Sequence, residues 1–239
     1  MTDVPTSEAA TRRVKRIADI IGGGVALLAL APVFAAVAAA ILLDDGRPVF
    51  FTQTRVGRDG ARFRIWKFRT LPPAARTRAK ADDERGVGEE GRSVHARKMP
   101  ARVATRVGAV LRAWSLDELP QLWNVLRGDM SLIGPRPTIP EQVARYGEYE
   151  RTRLRVRPGI TGWAQIQGRN LLSWPERIDL DVWYVENWSL GLDLCILLRT
   201  PAVVLSGHGV NGREGRNPDF PAHDAQDTSR TSSPPSSFR

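Results

Sequence analysis

The longest apolar run of the chain lies near its start. Ile20 to Leu43 is 24 residues without a charge, bounded by Asp19 and by Asp44 and Asp45. At ~1.5 Å per residue, a helix of this length matches a bilayer core of ~30 Å. Pro32 interrupts it near the centre, where a missing backbone donor kinks a helix. The pattern therefore admits two readings, a spanning helix or a re-entrant hairpin that returns to the side it left. Pro48 to Thr70 changes period: apolar and aromatic residues alternate with polar ones about Asp59–Gly60, which predicts a hairpin of short strands. Thr105 to Asn124 reads as helical, with a break at Pro120 that puts Asp117 and Glu118 near a helix start. Asp129 to Pro140 predicts a short strand and a Pro-rich turn, and Glu141 to Arg153 a charged helix. Arg157 to Arg169 is Gly-punctuated loop and short strand. Ile178 to Gly207 holds two amphipathic helical stretches. Trp183, Tyr184 and Trp188 fit either a membrane interface or a core. Residues 71–97 read as a polar mobile loop, and the chain ends in a polar tail.

Charge narrows the choice of partner. The formal net charge is +9, which favours a polyanion: nucleic acid, anionic lipid or a phosphorylated substrate. No recognised nucleic-acid motif accompanies it. Arg12, Arg13, Lys15 and Arg16 precede the apolar run and, by the positive-inside rule, hold the N-terminus in the cytoplasm. The single cysteine, Cys195, rules out an intrachain disulfide and sits among apolar residues, as a buried inert thiol would. His95, His208 and His223 are scattered and form no zinc-ligand cluster.

The densest chemistry lies in Leu111 to Pro137, "LRAWSLDELPQLWNVLRGDMSLIGPRP". Adjacent carboxylates, Asp117 and Glu118, stand between Arg112 and Arg136. Carboxylates beside arginines suit metal-assisted phosphoryl transfer, in which cations neutralise phosphate oxygens and one carboxylate attacks phosphorus. An acidic pair at a helix start is also ordinary capping, so the pair alone decides nothing.

The wider spelling does decide. "VKRIADI" at Val14 to Ile20, "PVFFTQTRVGRDGARFRIWKFRT", the central block, "RVRPGITGWAQIQGRN" and "DLDVWYVENWSLGLDLCILLRT" follow in the order of the bacterial sugar transferase family. The chain resembles its small monotopic phosphoglycosyl transferases from about Val14 to about Gly209. That resemblance implies an α+β fold. A re-entrant membrane helix broken at Pro32 would precede a compact, mostly helical cytoplasmic domain with short β-segments and interfacial amphipathic helices. Residues 1–46 would be the basic flank and membrane helix, 47–210 the catalytic domain and 211–239 a disordered tail. Ala31 stands where the family commonly has a serine.

The resemblance also implies a reaction: transfer of a sugar 1-phosphate from a UDP-sugar to undecaprenyl phosphate at the bacterial inner membrane, with release of UMP. Asp117 would be the nucleophile and form an aspartyl phosphosugar. Glu118, with Asp117, would hold Mg²⁺. Arg112, Arg136, Lys67 and Arg69 would bind phosphate or nucleotide. Arg169 and Asn170 either contact substrate or close a turn. Membrane lipids and downstream glycosyltransferases are the further partners. The rival is a non-catalytic, membrane-tethered module that binds anionic lipid or nucleic acid, supported by charge alone.

Overall fold

The structure is a computed structural model and describes residues 6–72, 104–207 and 209. The loop read over residues 71–97, apart from Leu71 and Pro72, lies outside the described residues, as do the tail and the three histidines.

Two helices open the chain, α1 (Thr6–Ala29) and α2 (Ala31–Asp45), bent by 57° at the break between them. The break falls at Leu30 rather than at Pro32. Pro32 lies in the first turn of α2, where its missing N–H is no loss. No single described helix is long and apolar enough to cross a membrane, but α1 and α2 together are, by length and composition.

The polar part of α1 is sewn into the body. Lys15 donates to the Ile133 carbonyl at 3.0 Å and to Asp193 at 2.6 Å. Arg16 donates to the Val125 and Leu126 carbonyls. Asp19, 4% exposed, accepts from the Ser131 hydroxyl and the Leu132 N–H. Of the basic flank, Lys15 and Arg16 thus serve internal contacts as well as any field at a lipid surface.

Strands β1 (Phe50–Val56) and β2 (Arg62–Phe68) form the expected antiparallel hairpin, with Phe50 opposite Phe68 and Val56 opposite Arg62. Asp59 and Gly60 both take positive φ, as a tight Asp–Gly turn requires. Ile65 packs with Val125 and Met130. Phe68 packs with Val37, Ile41 and Leu111. The hairpin therefore has apolar cover on both faces.

The helical stretch read over 105–124 is broken, as expected, but the break begins before Pro120. Helix α3 (Arg106–Ala113) ends before Ser115, which sits at φ 56°. A 3₁₀ turn, Leu116–Glu118, and then α4 (Gln121–Arg127) follow. Pro120 heads α4, but the left-handed Ser115 has already stopped the first helix. Strands β3 (Ser131–Ile133) and β4 (Gly159–Thr161) run parallel. The charged helix read over 141–153 is also broken, into α5 (Pro140–Val143), α6 (Glu148–Arg151) and a 3₁₀ turn, Thr152–Arg155. The division falls at Gly147, and it frees Arg153 to turn inward. Helix α7 (Trp163–Gln167) occupies a stretch read as loop. Helices α8 (Trp174–Glu186) and α9 (Leu190–Leu205) match the two helical stretches. Tyr184 is buried and donates to Asp193 at 2.7 Å, Trp188 donates to the same carboxylate, and Trp183 stacks on Trp163. These aromatic residues pack inside the protein. The exposed apolar residues of α9 are instead Leu194, Leu197, Leu198 and Leu205. Cys195, read as buried, is half-buried.

Asn124 joins the hairpin to α4. It is wholly buried. Its side chain accepts from the Trp66 N–H and donates to the Arg64 carbonyl and to Asp129. Asn124→Ala leaves two backbone groups of β2 unpaired, at about 1–3 kcal/mol each. Thermal unfolding in lipid nanodiscs should show a loss of that order for Asn124→Ala, and little change for Asp129→Asn, which keeps the Asn124 pairs to β2.

Candidate active site

Four segments deliver the charged groups. Strand β2 carries Lys67, the 3₁₀ turn carries Asp117 and Glu118, the end of α3 carries Arg112, and the turn after β3 carries Arg136. The turn after β3 is pinned by close backbone approach. A Cβ on Gly159 would stand 2.1 Å from the Gly134 nitrogen, so only glycine lets these strands meet. Gly159 also donates to the Pro135 carbonyl at 2.9 Å. Arg153 completes the support: it donates to the Arg136 carbonyl at 3.0 Å and to the Tyr146 hydroxyl at 2.6 Å, and it pairs with the buried Asp181.

Glu118 is the hub. Its Oε1 receives Lys67 Nζ at 2.6 Å and Arg136 Nη2 at 2.6 Å, and its Oε2 receives Arg136 Nη1 at 3.2 Å. Burial alone would push the Glu118 carboxyl up. Arg136 and Lys67, by charge and hydrogen bond, overcome that and hold it well below the usual carboxylate range. Asp117 has the opposite balance. Burial, then the charge of Glu118, push its carboxyl up against the pull of Lys67, Arg136 and Arg112. Among the described residues no side chain hydrogen bonds to Asp117. One carboxylate is thus clamped and the other is left open to react, a division that suits nucleophilic attack on a phosphorus held by cations.

Of the sequence candidates, the structure brings Asp117, Glu118, Lys67, Arg136 and Arg112 together. Arg112 is oriented by a hydrogen bond to the Thr70 hydroxyl at 2.9 Å. Arg69 does not join them. It is 2% exposed and grips the end of α2, bonding the Asp45 carboxylate at 2.6 Å and the Asp45 and Gly46 carbonyls. A cation at a helix C-terminus is stabilising there; alternation along a strand would have set Arg69 on the side of Lys67, but β2 ends at Phe68 and the pairing with Asp45 and Gly46 turns Arg69 to α2 instead. Pro32 lies in the bent apolar helix pair and takes no part.

Sequence reading passed over Arg55 and Arg177, and it left Arg169 open. Arg55 is pushed down to about 10 by burial and then by Arg136. Arg177 is likewise pushed down to about 10, by burial and then by Arg136. Both stay cationic at neutral pH and surround Arg136 with further positive charge. Neither carries a local motif; only the fold converges them.

Comparison with known proteins bears on what this site does. The model of the family described as "Bacterial sugar transferase" matches residues 10–207. The uncharacterized sugar transferase EpsL of Bacillus subtilis is 41% identical over 198 residues, covering 82% of this chain and 90% of that one. The exopolysaccharide production protein ExoY of Rhizobium meliloti is 40% identical over 216 residues, covering 85% and 92%. The UDP-glucose:undecaprenyl-phosphate glucose-1-phosphate transferase of Caulobacter vibrioides is 38% identical over 208 residues, covering 80% and 70%.

The raised Asp117 carboxyl carries a stability consequence. Above its folded pKa, the ionised Asp117 is less favourable folded than unfolded; as pH falls through that pKa the proton removes the penalty. Asp117→Asn should therefore raise the melting temperature at neutral pH, and the gain should shrink on acidification through the Asp117 titration. The depressed Glu118 works in the opposite sense: its contribution is full at neutral pH and is lost as pH falls below the usual carboxylate range. Glu118→Gln should lower the melting temperature at neutral pH.

Proposed function

The chain belongs to the bacterial sugar transferase family, and on that premise we propose that it transfers a sugar 1-phosphate from a UDP-sugar to undecaprenyl phosphate, releasing UMP. Kinship with enzymes named for sugar-phosphate transfer to undecaprenyl phosphate supports a phosphoglycosyl transferase. Kinship with exopolysaccharide production proteins supports a place in exopolysaccharide assembly. The observation that carries the mechanism is the asymmetry of the dyad, with Glu118 clamped by Lys67 and Arg136 and Asp117 free.

In the first half-reaction a carboxylate oxygen of Asp117 attacks the phosphorus that bears the sugar. The new bond joins that oxygen to phosphorus, and the bond to the UMP oxygen breaks with its electron pair. Arg112 and Arg136 neutralise the phosphate oxygens, and Lys67 keeps Glu118 ionised and in place. In the second half-reaction an oxygen of the lipid phosphate attacks the same phosphorus and Asp117 leaves as carboxylate. One phosphate pocket serves both steps.

A divalent cation fits the donor set. Glu118 Oε2 makes only the longer contact to Arg136, and Asp117 is open. Mg²⁺ typically takes one or two carboxylates plus substrate phosphates, so a larger cluster is not required. Asp117 and Glu118 would hold it, and when bound it would neutralise charge on the diphosphate.

The bent helix pair and the exposed leucines of α9 support a re-entrant seat in the inner membrane, with the catalytic body facing the cytoplasm, where UDP-sugars are made. The lipid product would pass to downstream glycosyltransferases. Among the described residues, the chemistry assembled around one carboxylate pair speaks against a bare anion-binding module.

Purified enzyme incubated with undecaprenyl phosphate and a panel of UDP-sugars should release UMP from at least one donor. Asp117→Asn should lower turnover by about a thousandfold or more while remaining in the membrane fraction; turnover near wild type in that variant would remove the nucleophile assignment. Single cysteines placed at Leu43 or Arg58 should label only from the cytoplasmic side; labelling from outside would replace the re-entrant topology with a spanning one.

A further inference from the structure

Arg169 opens the 3₁₀ turn Arg169–Leu171 behind α7, and its backbone is left-handed at φ 52°. That conformation is uncommon for a non-glycine residue and is strained. Its partner is strained in the same way. Arg169 Nη2 donates to the Ser115 hydroxyl at 2.6 Å, and Ser115 stands at φ 56° immediately before the turn that carries the dyad. The Ser115 carbonyl in turn accepts from the Glu118 N–H. The two left-handed residues, 54 positions apart, are therefore joined by one hydrogen bond at the base of the catalytic turn. The Arg169 loop is held from behind as well, where Asn170 N–H donates to the Gly209 carbonyl at 3.1 Å.

The other guanidinium nitrogen is not used. Arg169 Nη1 is buried with no hydrogen-bond partner. The charges that act on it are Arg136, Glu118 and Asp117, and burial and then Arg136 lower its affinity for a proton. An unpaired buried donor is a standing cost, and a phosphate oxygen meets a guanidinium better than any neutral acceptor. We propose that Arg169 is a substrate-binding residue: Nη2 holds the dyad turn through Ser115, and Nη1 takes a phosphate oxygen of the donor's diphosphate. This rests on the donor being a nucleotide sugar, as proposed above. The acceptor lipid's phosphate offers the same chemistry, and the experiment separates the two.

The test uses the full chain in nanodiscs and three substitutions chosen for the backbone. Arg169→Asn tolerates the left-handed region. Arg169→Lys keeps the charge without the fork. Ser115→Gly keeps the φ and removes the hydroxyl. UDP binding by calorimetry and the KM for each substrate are the readouts. Arg169→Asn should weaken UDP binding and raise the donor KM about tenfold or more, with Arg169→Lys recovering part of the loss. Ser115→Gly should lower kcat while leaving UDP affinity near wild type. UDP affinity and donor KM within twofold of wild type in Arg169→Asn would overturn the proposal, whatever the melting temperature does. A rise confined to the acceptor KM would overturn it too, since it would assign Nη1 to the lipid phosphate. If wild-type enzyme released no UMP from any donor, the transferase reading would fall, and the UDP-binding comparison would still decide the role of Arg169.

Discussion

A carboxylate that gives up water must find its compensation in the protein, and Glu118 finds it in Lys67 and Arg136. This one balance fixes three segments relative to each other: the second strand of the hairpin, the turn between α3 and α4, and the turn after β3. Much of the surrounding architecture serves to keep those three in register. Asn124 ties α4 to the hairpin backbone beside Lys67. The glycine contact of β3 with β4, together with Arg153, holds the backbone of Arg136. Leaving a carboxylate unpaired at Asp117 is then tolerable, because its neighbour is already neutralised. The open carboxylate costs local stability, as groups in active sites commonly do.

Much of this was legible in the chain. The hairpin follows from alternation and from Asp59–Gly60, and α8 and α9 from their amphipathic pattern. Asp117, Glu118, Arg112, Arg136 and Lys67 are brought together as their motifs suggested. What failed was what depends on distant partners. Arg69 and Lys67 are two residues apart and look alike in sequence. Which of them faces the dyad was set by where α2 ends. Helix 141–153 read as continuous because its charges suit a solvated helix, yet Gly147 and the pull of Asp181 on Arg153 divide it. Ser115 carries no local signal for a left-handed backbone, so the true end of α3 was missed by several residues.

The aromatic residues of α8 show the same limit. Trp and Tyr suit both a core and a membrane surface by chemistry, so composition leaves them undecided. Tyr184 is drawn inside by Asp193, the carboxylate that also receives Lys15 and Trp188. That cluster makes α9, α8 and α1 meet at one buried charge beside the Ile133 carbonyl, next to the strand that leads to Arg136.

Lys15 and Asp193 are 178 residues apart, and that distance has a consequence for biosynthesis. The ribosome delivers the apolar helix pair first. Lys15 and Asp19 acquire their partners only when Ser131 and then Asp193 have emerged. Until that moment the start of the chain carries charges that belong to a body not yet made. Closure of the catalytic body around α1 is therefore a late event, and a nascent chain that stalls before α9 holds its leading helix without its final anchor.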